Sequence, residues 1–277
     1  MKKIFIGLMG FIGLMGFVGC DKIDEGEYTV YAGVTFEWGT GTPIANPVQR
    51  AYVEKYTGPQ CPNCPFADET LNSAHDRFGD NLVIISVNHP TGQGEPYEGE
   101  PDMRTQDGNT WDQYFGIETI PTAYINRNKS VKYSGKMANI TDGIASTTAE
   151  SPQVALEVSA ISSGRQLLIS ANMQFITNVE SPLTLTLALT EDSLKYMQVR
   201  VSTLYPEYSH NHMLRDVITD VWGTNIDING TAGETYRGTC EYLVTNQDIK
   251  LENCHVVALI SDKNSRQVLN CAECSIQ

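Results

Sequence analysis

Cys61 and Cys64, separated by Pro62 and Asn63, are the residues of this sequence whose types and spacing most plainly offer chemistry. An apolar run at 51–53 precedes the pair and an amphipathic segment at 66–78 follows it. The pattern reads as strand, tight turn and helix, with two thiols where the helix begins. A thiolate there faces unpaired backbone N–H groups and the positive end of the helix dipole. Both lower its pKa and make it a better nucleophile at neutral pH. The second thiol lies one turn on, close enough to close a disulfide, and such a pair after a strand reads as a redox motif. In that reading Cys61 attacks and Cys64 resolves. The competing reading is a permanent bridge. No metal or cofactor is expected. Zinc would need four ligands, and the other Cys-x-x-Cys, Cys271 and Cys274, is more than 200 residues away.

The elements that must position the pair read as an α/β unit over residues 49–150. A strand at 51–56 leads into the helix at 66–78. The run Leu82-Val83-Ile84-Ile85-Ser86-Val87 is apolar almost throughout, as a buried parallel strand requires. Residues 89–107 are rich in Gly, Pro and Glu and long for a loop, which suggests an insertion over the site. A solvated loop accounts for Glu95, Glu98, Glu100 and Asp102 better than a calcium site does. A short helix at 111–115, a strand at 120–126 opened by Pro121, a hairpin return at 130–133 and a helix at 138–148 complete the unit.

The Cys-x-x-Cys after a strand, followed by Thr119-Ile120-Pro121-Thr122 before a later one, resembles the thioredoxin fold. The resemblance implies a cis peptide at Pro121, with Ile120 and Thr122 beside it presenting backbone to an extended substrate. It also implies a buried acid on the preceding strand as proton acceptor for the second thiol, for which Glu54 is the candidate. The sequence departs from the family in having no tryptophan before Cys61, a link (Thr57 to Gln60) one residue longer, and a longer gap to the proline.

Near Ser151-Pro152 the pattern changes. Residues 154–161, 166–176, 183–189, 234–244, 255–260 and 266–276 alternate with period two, which suggests an all-β antiparallel, Ig-like sandwich over 151–277. Residues 213–222 read as a short helix within it. If the last two strands form a hairpin turning near Asn264, Cys254 lies roughly opposite Cys274, and Cys271 is left for Cys240. These four are therefore candidates for structural disulfides. His210-Asn211-His212 and Asp192-Ser193-Leu194 read as turns.

The formal charge is −14 and no basic run exists beyond Lys2-Lys3, which argues against a nucleic-acid partner. Those lysines open a targeting segment, residues 1–19, whose apolar stretch at 4–18 is too short to span a membrane. It ends at Phe17-Val18-Gly19-Cys20, which resembles the lipobox of bacterial lipoproteins and makes Cys20 the lipidated residue. Residues 20–48 read as a tether with an edge strand. The whole arrangement resembles the outer membrane protein twenty-eight family of bacterial lipoproteins. The residues concerned are 54–65, Leu189-Thr190-Glu191-Asp192, and His210 to Arg215 with Trp222-Gly223. The resemblance implies a lipid-anchored protein of the cell envelope, at the outer membrane. Two functions are open: a thiol–disulfide oxidoreductase acting on exported protein thiols, or a non-catalytic surface lipoprotein that binds a protein or glycan partner and carries an inert Cys61–Cys64 bridge.

Overall fold

Fifteen strands and three α-helices follow one another along the described residues of a computed structural model, which are 35–132, 137, 139–226, 228 and 230–277. The expected signal peptide, Cys20 and the first part of the tether lie outside them. In chain order the elements are β1 (Glu37–Thr40), β2 (Ala51–Thr57), α1 (Cys64–Phe78), β3 (Leu82–Asn88), α2 (Gln106–Phe115), β4 (Thr122–Ile125), β5 (Lys129–Lys132) and α3 (Ile140–Thr148). Then come β6 (Val154–Ser163), β7 (Gln166–Phe175), β8 (Leu183–Glu191), β9 (Leu194–Arg200), β10 (Thr203–His210), β11 (Met213–Val217), β12 (Thr224–Ile226), β13 (Thr235–Leu243), β14 (Cys254–Asp262) and β15 (Val268–Ser275).

β2 and β3 pair in parallel, and β4 and β5 add antiparallel beyond β2. Alternation along β2 sorts its side chains between two layers. Ala51 and Val53 face Leu71 and Ala74 of α1 and Ile140 and Ile144 of α3, while Tyr52 and Tyr56 face Trp111 of α2. β3 is buried at every position, which explains its apolar run from Leu82 to Ile85.

The sheet does not stop at residue 150. β11 lies between β3 and β8, parallel to the first and antiparallel to the second, so the order runs β15-β14-β8-β11-β3-β2-β4-β5, with β12 also on β8. The described residues fall within one compact unit, and strands from both sides of the expected boundary share one sheet. Residues 213–217 are therefore a strand and not the start of a helix. Two sheet edges stood open on either side of this segment, and pairing satisfied both. Ser86 N donates to His212 O at 2.7 Å and Ile218 N to Leu187 O at 2.8 Å.

The second half is β-rich, as its alternation predicts. β1, β13, β7 and β6 form a four-stranded sheet. Its inner residues, Leu167, Ile169 and Met173 among them, pack on Leu185, Leu187 and Leu189 of β8 and on Val256 and Ile260 of β14. β8 alternates leucine with threonine yet is buried at all nine positions, because the sheet carries material on both faces. β9 and β10 form a separate two-stranded sheet in a segment for which the alternation predicted no element.

Candidate functional site

The turn holding the two cysteines leaves the carboxyl end of β2. Cys61 N donates to Gly58 O at 3.1 Å and Cys64 N to Cys61 O at 3.3 Å, which folds residues 58–64 into consecutive tight turns. α1 begins at Cys64 itself, two residues before the sequence-based start, with Pro65 in its first turn, where the missing N–H is harmless. Cys61 and Cys64 are joined as a disulfide with Cα atoms 5.4 Å apart. Gly58 is required by a close approach: a Cβ there would stand 2.3 Å from Gln93 O, in the loop after β3. That loop flanks the turn, with Gln60 N donating to Gln93 O at 3.0 Å.

The expectation of an exposed nucleophile at Cys61 is corrected. Both cysteines have 0% exposure. β9 lies across the turn and takes up its carbonyls. Val199 N donates to Pro59 O at 2.9 Å and Val201 N to Pro62 O at 3.0 Å. The buried Gln198 amide donates to Cys61 O at 3.0 Å and to Gly58 O at 3.3 Å. Beside them Arg200 pairs with Glu69 of α1 at 2.7 Å and stacks over Phe66, and Tyr208 donates to Asp68 at 2.9 Å. Asp68 also pairs with the buried ammonium of Lys55.

Glu54 is also committed elsewhere. It shares the face of Tyr52 and Tyr56, opposite α1. Its Oε2 accepts from Tyr52 OH at 2.6 Å and from Arg127 Nε and Nη2 at 2.8 and 2.6 Å, and its Oε1 accepts from Tyr56 OH at 2.5 Å. These four bonds fix the Glu54 side chain on the face opposite α1, whereas the resemblance implied a proton acceptor for the second thiol. Burial, then the Glu54 charge, holds the Tyr52 and Tyr56 hydroxyls well above the usual tyrosine range. Arg127 escaped the sequence reading. Its guanidinium sits 4.3 Å over Trp111 and 5.4 Å from the Trp222 ring. The Ile120–Pro121 peptide is cis. Thr122 stands opposite Tyr56 in the ladder and its hydroxyl donates to Thr119 O at 2.7 Å.

The four other cysteines within the described residues, Cys240, Cys254, Cys271 and Cys274, are free, which corrects the expected structural disulfides. The register is the reason. Cys274 faces Val256 and Cys271 faces Leu259, so Cys254 is displaced two residues from its supposed partner. Cys240 lies in the core between the two sheets and Cys271 in the one around Trp111. Burial pushes the Cys240 and Cys254 thiols up to about 12 and Cys274 up to about 11, so none is an activated nucleophile. His210 and His212 are drawn down to about 4, mainly by burial. A further pair, His89 Nδ1 and Asp112 Oδ2 at 2.7 Å, braces the flanking loop against α2.

A β-rich protein with one bridged and covered turn is the class these features define. Residues 108–277 match the family Outer membrane protein Omp28. The chain belongs to that family, which locates it to the cell envelope, at the outer membrane. The match begins within α2 and so does not include the Cys61–Cys64 turn. Among solved structures, HBP35 of Porphyromonas gingivalis is similar at 17% identity, with a TM-score of 0.64 over 84% of this chain and 77% of the other. A protein from Agrobacterium tumefaciens is similar at 16% identity, with a TM-score of 0.52 over 83% of this chain and 95% of the other. A domain of the outer membrane lipoprotein Omp28 from Porphyromonas gingivalis matches with a TM-score of 0.34 at 16% identity, over 46% of this chain and 89% of that domain. The first two likenesses speak to the fold alone. No curated protein matches the chain in sequence.

Proposed function

We propose that the protein is a lipid-anchored binding component of the outer membrane, built on a thioredoxin-like half whose Cys61–Cys64 bridge holds the fold and does not turn over substrate. The lipobox at Cys20 supports the anchor. The thioredoxin-like reading is supported by the strand order β3-β2-β4-β5, with α1 after β2 and α3 after β5. The observation that carries the holding role is the zero exposure of both sulfurs beneath β9. A thiol must approach a bridge sulfur directly to exchange with it, and rate depends on that access. The bridge instead shapes a turn whose four carbonyls receive another element. The β-rich half is then the binding part, directed to a protein or glycan of the envelope.

Insulin reduction with dithiothreitol as electron source tests the holding role, together with a Cys64→Ala variant screened for trapped mixed disulfides with exported proteins. No acceleration of insulin reduction and no trapped adducts are expected. Sustained turnover by the wild-type chain would overturn it.

A further inference from the structure

The β9–β10 hairpin belongs to neither large sheet. Its two strands pair only with each other, and it reaches the rest of the chain chiefly through polar contacts. At its far end residues 203–207 are exposed throughout, and Val201 and Leu204 stand 66% and 48% exposed. At its root Leu194 packs with Met103 and Met213. One end is thus held by apolar burial and the other by hydrogen bonds and one ion pair. Segments with few buried apolar contacts open at lower free energy than the core.

The root also has the marks of a pivot. Ser193, just before β9, and His212, between β10 and β11, have φ of 61° and 57°, and Val201 in the turn has φ of 54°. Such values are uncommon for residues other than glycine, and most of all for a β-branched side chain. Two bonds tie the root across the strands: Ser193 N donates to Asn211 Oδ1 at 2.9 Å, and His212 N donates to Asp192 Oδ1 at 2.6 Å. These ties hold the two strands together at the root.

We propose that the β9–β10 hairpin is a hinged cover over the Cys61–Cys64 bridge, pivoting at residues 192–193 and 211–212, and that an external thiol reaches the bridge only when the cover swings off. Val199 N and Val201 N, two residues apart on the hairpin, take the Pro59 and Pro62 carbonyls, so the hairpin backbone holds the turn at two points. Gln198 fills the gap between them and the Arg200–Glu69 pair closes the outer side. The cover stands independently of the holding role: a cover that opens without turnover leaves both in place.

The test is the rate at which dithiothreitol reduces the bridge in the full chain, followed by acid quench and mass spectrometry. One thiolate of the reagent attacks a bridge sulfur, the Sγ–Sγ bond breaks, and the departing sulfur takes a proton from solvent. The reagent's second thiol then closes its own ring disulfide and frees the other cysteine as a thiol. Two electrons pass from reagent to protein. Arg200→Ala and Glu69→Ala are surface changes that leave the core untouched, and each should speed reduction about threefold. Gln198→Ala removes two bonds to the turn and should speed it roughly tenfold, each bond of ordinary strength shifting an equilibrium by roughly two- to tenfold. Lys263→Ala, in the β14–β15 turn, should change nothing. In the wild type the rate should rise with urea far less steeply than global unfolding does. Rates unchanged by Arg200→Ala, Glu69→Ala and Gln198→Ala alike, or a wild-type rate that tracks global unfolding, would overturn the cover. Insulin turnover would count against the holding role and leave the cover standing.

Discussion

Replacing Arg127 with methionine removes one half of a charge pair that has no access to water: the Arg127 and Glu54 side chains are 1% and 0% exposed. Two of the four bonds to the carboxylate go, both on Oε2, and the hydroxyls of Tyr52 and Tyr56 remain. Methionine keeps the apolar stem beside Trp111, so the loss is chiefly electrostatic. A buried charge deprived of its partner costs about 3–5 kcal/mol. Glu54→Gln alone leaves the guanidinium unpaired and should cost a similar amount. The double variant, with neither charge, should recover most of the loss, leaving about 1–2 kcal/mol and a coupling energy of at least about 4 kcal/mol. Urea unfolding followed by tryptophan emission measures all four corners of the cycle, and Trp111 and Trp222 flank the guanidinium. Repeating the cycle in 1 M salt should change the coupling little, because screening acts weakly on pairs sealed from solvent. Additive losses, with coupling below about 0.5 kcal/mol, would refute the view that Glu54 serves as a counter-ion and would return it to the list of groups free to move a proton.

Burial, aided by the Asp192 and Asp80 charges, pushes the Glu273 carboxyl up to about 7. The unfolded chain loses that proton near the ordinary carboxylate pKa, so the folded form holds more protons between the two values and stability falls as pH rises through them. The group is partly exposed, and with that discount Glu273→Gln should stabilise the protein by ~1–2 kcal/mol at pH 8 and by almost nothing at pH 4, read from urea midpoints. Gly58→Ala forces a methyl against the backbone of Gln93 and Gly94, neither of which can yield cheaply, and should lower stability by ~2–3 kcal/mol. A midpoint within error of wild type would show that the turn and its flanking loop are not packed as described.

What could be read from the sequence was local. The thiol pair, the apolar run at 82–87 and the leucine–threonine alternation of β8 each announce their element within a few residues, and the strand–turn–helix around Cys61 follows from them. What escaped depends on distant partners. The amide that caps Cys61 comes from Gln198, 137 residues later, so nothing near the motif signals that it is covered. Met-Leu-Arg-Asp-Val fits a helical or an extended period equally well, and only two waiting sheet edges decide it. The cysteine pairing failed because it needs both the register of β14 on β15 and the face each residue takes, and a slip of two residues undoes it. Arg127 carried one weak sign, a cation just after an apolar strand. The acid it neutralises lies 73 residues away.

The seat of β11 bears on how the chain comes into being. β3 is complete at Asn88, but the strand that pairs with its outer side starts only at Met213, about 125 residues further along. At synthesis rates of roughly 5–20 residues per second, that side stays bare for about 6–25 s of elongation. An uncovered apolar strand over such an interval is an invitation to pair with a neighbouring chain. Completion of the sheet therefore waits on a partner far along the chain, and long-range pairing of this kind forms slowly.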